Sequence, residues 1–331
     1  MAEKTKQHFV PKLLLKRFSW DDIHVNQCLI RKGLEIKSVP YKEQCQKRYF
    51  YGSDLHIENG LGKIEDLIEI ELSKIINGCL IPISKPSAEC LNDDNMRLNI
   101  LLFIYIQYTR TLKARNIVDA EVSRRFELFK DKDRENMSNA LIEASDDGGW
   151  GMTKEHVNEF INSLRVSTTD PFYHIFRVAN ERYNKNKHLK SAVIFNYSKL
   201  PFVMSDNPVL NVVTVFPEHV SSFFMPISPA HYLFYFNERY FNVDSDNNVI
   251  FTSDYDEIRY LNTLQCENSN INIYTSRLGE RCTMLDLAGD NSSGGAFWKK
   301  INGISLSDAY QNNLSIPING GHATKVDAFK N

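Results

Sequence analysis

Three short polar clusters with apolar sequence neighbours carry the side chains that phosphodiester chemistry uses. The first is His8 with Arg17, the second is Gln107 with Arg110, and the third is the Ser-Asp-Asn-Pro run over 205–208. A histidine can act as a general acid or base, and an arginine can hold a phosphate through two parallel hydrogen bonds. A carboxylate can orient the histidine or bind Mg²⁺ through its oxygens. These residue types make phosphodiester hydrolysis a hypothesis.

Each cluster also has a structural interpretation, and both interpretations stay open at this level. A histidine within an apolar segment can be a structural residue whose ring nitrogens are hydrogen-bonded. Arg110 within an apolar helix needs an acidic partner, Glu58 or Glu65, because an unpaired buried charge costs several kcal/mol. The run over 205–208 is favourable turn chemistry, since Asp and Asn side chains bond to nearby backbone groups.

The two ends of the chain are predicted to hold the first and third clusters on β structure. Strands are predicted over 25–30 and 34–39, with Arg31-Lys32-Gly33 as the hairpin turn between them. After residue 190, short β-branched or aromatic runs bounded by turn residues predict further strands.

The middle of the chain is predicted to be helical. Asn59-Gly60-Leu61-Gly62 is typical of a turn before a first helix. A long helix is expected from about 94 to 130, and it is central because its first half is apolar almost all round. It places Gln107 and Arg110 on one face, since their spacing is three. The stretch 131–152 is expected to be mobile, with Asp146-Asp147-Gly148-Gly149 as the helix breaker.

These predictions add up to an α+β fold with a helical middle and a long central helix, packed on β-rich N-terminal and C-terminal segments. We expect a single domain over 1–317, which is β-rich over 1–52, helical over 62–188 and β-rich again over 190–275. The residues 318–331 are expected to form a loose polar tail.

Composition excludes several classes of protein. The chain has 331 residues, of which 42% are hydrophobic and 24% charged, enough for a sizeable core. Its net charge of −2 gives no global field that would attract nucleic acid. No apolar run reaches the roughly 18 residues that a membrane helix needs. Six cysteines without a CxxC pair, and no signal peptide, predict reduced thiols in a cytoplasmic protein without a zinc site.

Several motifs resemble, in order and rough spacing over about 1–275, a large and mostly bacterial family of domains of unknown function. They are Gln7–Pro11, Leu15–Phe18, Phe50–Gly52, Gln107–Thr111, Ser205–Val209, Pro226–Pro229 and Asn262. Three positions depart from the pattern of that family. Its Leu-Arg is Lys16-Arg17, the leucine of its Pro-Leu-Ser-Pro is Ile227, and its proline after Arg-Thr is Leu112, which should let the helix continue. The resemblance brings no established activity.

The resemblance implies that the polar clusters belong to one module, so we expect them to converge on one pocket. Its catalytic residues would be His8, Glu65 and Asp206. Its binding contacts would come from Arg17, Glu58, Gln107, Arg110, Ser205, Asn207 and Asn262. Mg²⁺ is a possible cofactor, held by carboxylate oxygens.

Three functional hypotheses follow. The first is a nuclease-like or nucleotide-directed hydrolase acting on RNA, DNA or a nucleotide, such as the toxic effector of a bacterial defence system. The alternative is a non-catalytic ligand-sensing or protein-binding module, in which the buried polar network makes the fold rigid. The third is a structural subunit whose central helix pairs with a second copy of the chain. Gly60-Leu61-Gly62-Lys63 is too short for a phosphate-binding loop.

Overall fold

The fold is of the mixed α+β class, with helices in the middle of the chain and strands on either side, which confirms the predicted class. The computed structural model describes residues 5–79, 86–166, 171–214, 220–238, 243, 247–276, 314–316 and 324–325. The chain divides into two compact units, the first made of 1–114 with 175–331 and the second of 115–174. The single domain over 1–317 stays a prediction, and the polar tail lies outside the described residues except for 324–325.

The strands of the described residues belong to the first unit. They are β1 (Lys6–His8), β2 (His24–Leu29), β3 (Leu34–Pro40), β4 (Gln46–Arg48), β5 (Lys190–Asn196), β6 (Met204–Ser205), β7 (Leu210–Thr214), β8 (Val220–Ser228), β9 (His231–Phe236), β10 (Val249–Thr252), β11 (Asn272–Thr275), β12 (Leu314–Ile316) and β13 (Thr324–Lys325). They form sheets with the orders β1-β4, β3-β2-β11-β6 and β10-β5-β9-β8-β7-β12-β13.

The four-stranded sheet joins the two β-rich ends of the chain. Strand β11 pairs antiparallel with β2 on one side and with β6 on the other, so that Ile273 lies opposite both Cys28 and Ser205. The predicted hairpin of β2 and β3 is confirmed, and its connection ends at Gly33 with a φ of 58°, a conformation that favours glycine. This sheet brings the third polar cluster next to the N-terminal segment.

The seven-stranded sheet forms the apolar core. Its described pairs are antiparallel except for β10 with β5, which run parallel. Phe224 and Phe234, on neighbouring strands, stack with their ring centroids 4.3 Å apart. Both side chains are fully buried, and such aromatic contacts add to the large apolar area that each ring removes from water.

The helices are α1 (Lys12–Arg17), α2 (His56–Cys79), α3 (Asp94–Thr109), α4 (Leu112–Asp147), α5 (Lys154–Ser163), α6 (Pro171–Lys185) and α7 (Tyr255–Asn268). Helix α2 runs through 59–62, so the predicted turn there is wrong. Gly60 and Gly62 keep negative φ, and Leu61 between them is buried, which holds the glycines in the helix. None of the helices in the described ranges combines the length and apolarity needed to cross a membrane.

The predicted helix over 94–130 is wrong as a single element. Helix α3 ends at Thr109 and α4 begins at Leu112. Helix α4 extends to Asp147 through the stretch expected to be mobile, with a kink at Asp133, where φ is −113° and ψ is 15°. The Thr109 hydroxyl donates to the carbonyls of Tyr105 and Ile106, which closes the last turn of α3. The Thr111 hydroxyl accepts from the backbone N–H of Ala114 and so begins α4. The helix therefore breaks although Leu112 replaces the proline of the family pattern, and the expectation that it continues is wrong. A threonine hydroxyl bonds to the main chain on each side of the break.

Helix α3 packs on the seven-stranded sheet. The ring of Tyr105 meets that of Phe223 on β8 edge-on at 4.9 Å between centroids. The hydroxyl of Tyr235 on β9 donates to the carbonyl of Arg97 at 2.8 Å. These contacts hold α3 on the sheet near both of its ends, and the contact of Tyr105 lies about one and a half turns before Arg110.

Candidate functional site

Arg110 is the centre of the first candidate site. It lies in the break between α3 and α4 with φ −92° and ψ 2°, and its side chain is fully buried. Nε donates to Oε1 of Gln107 at 2.7 Å, and Nη1 donates to Oε1 of Glu65 on α2 at 2.8 Å. Nη2 makes no hydrogen bond to any described residue. The predicted acidic partner is thus Glu65, whose side chain is 25% exposed.

The charge of Arg110 is maintained by the groups around it. Burial acts to lower the pKa of this guanidinium, but the charge of Glu65, the Tyr51 phenol and the charge of Glu58 raise it overall. Glu58 therefore contributes charge, while Glu65 makes the direct ion pair. Burial raises the pKa of Tyr51 far above its ordinary value, so the phenol stays neutral.

Glutamine side chains tie strand β1 into this site. Gln107 donates to the carbonyl of Phe9 at 3.0 Å. Gln7 donates to the carbonyl of Gly52 at 2.9 Å and accepts from the N–H of Tyr51 at 2.6 Å. Both glutamines are fully buried and bond to main-chain groups. The N-terminal motif is therefore built into the fold, and its glutamine acts as a connector.

His8 lies beside this group, but its ring is bonded elsewhere. Nε2 is 2.9 Å from the carbonyl oxygen of Lys42. Because a carbonyl only accepts, we assign the ring proton to Nε2 and the lone pair to Nδ1. Burial lowers the pKa of His8 to about 4, and the charges of Lys12 and Arg110 act in the same direction. At neutral pH the ring is uncharged and a weak general base.

Arg17 bonds away from the Arg110 group, on the next turns of α2. Its Nη2 donates to the carbonyl and to Oε1 of Glu69, and to the hydroxyl of Ser73, at 3.2, 3.1 and 3.0 Å. These bonds dock α1 on α2. The structure therefore gives Arg17 and His8 different partners.

Helix α7 carries the second polar group, a row of amides at 262, 265 and 268. Asn262 accepts from the N–H of Val203 and donates to the carbonyl of Pro201. Gln265 accepts from both the N–H and the hydroxyl of Ser205, at 3.0 and 2.7 Å. Residues three apart share one helix face, so the amides align along the main chain of 201–209. The sequence motif singled out Asn262 alone, whereas the recurrence of Asn or Gln every third residue was the missed signal.

The last amide of the row completes this contact. The side-chain amide of Asn268 donates to the backbone carbonyls of Asn207 and Val209 at 2.7 and 3.0 Å. The backbone carbonyl of Asn268 accepts from the side-chain amide of Asn207 at 3.1 Å. The Lys113 ammonium also donates to the Asn268 carbonyl, at 2.8 Å. Asn207 in turn accepts from the hydroxyl of Thr111 at 2.7 Å. This last bond links the α7 amides to the helix break that holds Arg110.

Asp206 is committed to the main chain. Its carboxylate accepts from the backbone N–H groups of Asn270, Ile271 and Asn272 at 2.7, 2.9 and 3.1 Å. Burial raises the pKa of Asp206, whereas these three bonds and the charge of Lys113 act to lower it. Such a carboxylate fixes the connection from α7 to β11.

The predicted site residues therefore form two adjoining groups. His8, Glu58, Glu65, Gln107 and Arg110 gather at the helix break, and Ser205, Asp206, Asn207 and Asn262 gather at α7, while Arg17 contacts α2. Within the ranges that the structure describes, no three His, Cys, Asp or Glu side chains are grouped as a metal would require. The described residues therefore offer no cluster of side chains that would bind the expected Mg²⁺. The cysteines at 28, 45, 79, 90 and 266 are free thiols, and Cys282 lies outside the described residues.

A second candidate site is a cleft of about 390 Å³ in the first unit. It lies where α3, β5 and β10 begin and where β9 ends. Its lining includes the charged residues Asp94, Arg97, Lys190 and Glu238, with Ser191 and Asn248. No sequence motif indicated it, because its side chains come from separate elements.

Comparison with known proteins gives a family and no activity. No curated protein and no solved structure matches the chain. The family model described as "protein of unknown function (DUF4238)" matches residues 6–278, a span that contains all the motifs of the polar groups. The chain therefore belongs to the DUF4238 family.

Proposed function

We propose that this chain is a non-catalytic ligand-binding module, in which the buried polar residues hold the fold and do not turn over a substrate. The observation that carries the proposal is the carboxylate of Asp206, which accepts three backbone N–H groups. A carboxylate satisfied in this way has little capacity left for a metal ion or a proton transfer.

The other candidate residues support the same function. Gln107 and Asn262 both bond to backbone groups, and His8 bonds to the Lys42 carbonyl. Hydrogen bonds between buried side chains and the main chain make a fold rigid and specify one arrangement of the core. Binding would take place at the cleft, where charged side chains line an open volume.

Phosphodiester hydrolysis is a second candidate because of one atom. Nη2 of Arg110 is buried and bonds to neither Gln107 nor Glu65, and the guanidinium also interacts with the neutral phenol of Tyr51. Glu65 beside it is partly exposed. A phosphate oxygen could accept from Nη2, with the neutral His8 ring nearby. This candidate retains RNA, DNA or a nucleotide as its substrate class, and the role in bacterial defence remains part of it.

One experiment separates the two functions. The full chain is incubated with total RNA, tRNA, plasmid DNA and nucleotides, with Mg²⁺, Mn²⁺ or EDTA. Thermal unfolding of the parent, Asp206→Ala and Asp66→Ala is measured in parallel. Asp66 is an exposed carboxylate on α2 and provides the matched control.

For a binding module we expect no cleavage by the parent. We expect Asp206→Ala to lower the melting temperature by about 10 °C, because three buried N–H groups lose their acceptor. Asp66→Ala should change it by no more than about 2 °C. Cleavage by the parent that is lost in a folded Asp206→Ala variant would overturn the proposal.

A further inference from the structure

The cleft at the start of β5 has charges of both signs, and some of them are already paired. Arg97 donates through Nη1 to the carbonyls of Lys187 and Leu189, and through Nη2 to Asp94 at 2.8 Å. The Asp94 carboxylate is thus neutralised by Arg97. These two side chains form a wall of the cleft, and their charges are already paired with groups of the protein.

The two amides of the cleft are also occupied. Asn248 donates to the side-chain carbonyl of Asn92 at 2.9 Å and approaches the backbone carbonyl of Ala88 at 3.4 Å. This bond joins the segment before β10 to the turn before α3. The amides therefore shape the cleft, and the charged side chains left for a ligand are those of Lys190 and Glu238.

Two opposite charges in the cleft lack a hydrogen-bonded ion pair. The side chains of Lys190 and Glu238 are exposed and form no ion pair or hydrogen bond with another side chain in the described ranges. Arg97 lowers the pKa of Asp94, however, and the charge of Lys190 acts in the same direction. The Ser191 hydroxyl, at the base of the cleft, is buried and interacts with the phenol of Tyr235 on the neighbouring strand. The charges available to a ligand are therefore one cation and one anion.

We propose that this cleft binds a small zwitterion that carries one carboxylate and one ammonium group, of the class of the free α-amino acids. The ligand carboxylate would pair with Lys190 and its ammonium with Glu238. A volume of about 390 Å³ fits a molecule of this size. The opposite charges select against purely anionic and purely cationic ligands, because an anion would leave Glu238 unpaired and a cation would leave Lys190 unpaired. This inference rests on the proposed binding function and names its ligand class.

The test is binding of the common α-amino acids, one at a time, to the full chain by ligand-observed NMR and calorimetry. The best binder is then compared with its deaminated and decarboxylated analogues. Lys190→Met and Glu238→Gln are the cleft variants. Lys154→Met and Glu159→Gln, exposed on α5, are the matched controls outside the cleft lining.

We expect each analogue, and each cleft variant, to bind at least about tenfold more weakly, whereas the control variants bind as the parent does. Lys190→Met should no longer distinguish the zwitterion from its decarboxylated analogue. No binding by any amino acid, or binding that both cleft variants retain, overturns the proposal.

The failure of this proposal can be separated from that of the proposed function. If a nucleotide binds in the cleft uncleaved, or if no amino acid binds while Asp206→Ala unfolds as expected, only the ligand class is wrong. If the parent cleaves a substrate, the binding function itself is wrong.

Discussion

Removing one partner of the ion pair between Arg110 and Glu65 should destabilise the fold far more than the same change in an exposed pair, because it leaves a buried charge unpaired. Arg110 is fully buried, Glu65 is 25% exposed, and their N–O distance is 2.8 Å. Exposed pairs contribute about 0.2–1 kcal/mol, and breaking a buried pair costs about 3–5 kcal/mol. Because one partner is partly solvated, we expect Glu65→Gln to lower the free energy of unfolding by about 2–3 kcal/mol.

A double-mutant cycle isolates the interaction. Arg110→Met removes the charge and should cost about 3 kcal/mol, since Gln107 also loses the donor to its carbonyl. In the double variant neither charge is left unpaired, so its loss should be at least about 1.5 kcal/mol smaller than the sum of the two single losses. The free energies come from urea unfolding followed by circular dichroism.

An exposed pair on α4 provides the control. Glu121 pairs with Arg124 and Arg125 at 2.9 and 2.7 Å, and all three side chains are at least 42% exposed. Glu121→Gln should change the free energy of unfolding by much less than Glu65→Gln does, because water and salt screen these exposed charges. Additive losses at Arg110 and Glu65, or a loss in Glu65→Gln no larger than in Glu121→Gln, would refute the reasoning from burial.

Three further outcomes are expected. Gly78→Ala should lower the free energy of unfolding by about 2 kcal/mol, because a Cβ would collide with the backbone carbonyl of Ser87. Gly62→Ala should raise it by about 0.5–1 kcal/mol, because a Cβ there meets open space and alanine favours the helix. Thermal unfolding of both variants checks these predictions. His8 stays neutral in the folded state down to pH about 4 but titrates near 6.5 when unfolded. The contribution of His8 to stability should therefore be complete above pH 6.5 and fall by about 3 kcal/mol between pH 6.5 and 4, and burial of His231, whose pKa is also lowered to about 4, adds to the fall. Urea unfolding against pH should show a shallower fall in His8→Phe. Asn268→Ala should cost about 2–3 kcal/mol, since two main-chain carbonyls lose their donor, and a melting temperature equal to that of the parent would contradict this role.

The sequence predicted the fold class and the hairpin because these depend on local signals. Alternation and a glycine with positive φ define β2, β3 and the turn between them. The same local reasoning failed at the helix break. Thr109 and Thr111 end one helix and begin the next through hydroxyl bonds that are weak as sequence signals.

The sequence predicts some contacts of the candidate residues but not all of them. It offers Glu58 and Glu65 as acidic partners of Arg110, and the distance between α2 and Arg110 in the structure identifies Glu65 as the partner. The separation of Asp206 from the Arg110 group could not be predicted from local patterns, because the carboxylate accepts from backbone groups 64 to 66 positions later in the chain. The cleft had no signal at all, since Lys190 and Glu238 are ordinary surface residues in the sequence.

The row of amides on α7 has a consequence for how the chain opens and closes. The N–H groups of Val203 and Ser205 bond to side chains of this helix, some 60 residues away in sequence. They gain protection from hydrogen exchange only when α7 is in place. We expect the amide protons of 201–209 and those of α7 to exchange with one common opening free energy, as a single cooperative unit. The strand β6, only two residues long, would then be stabilised by its bonds to α7 more than by its pairing in the sheet.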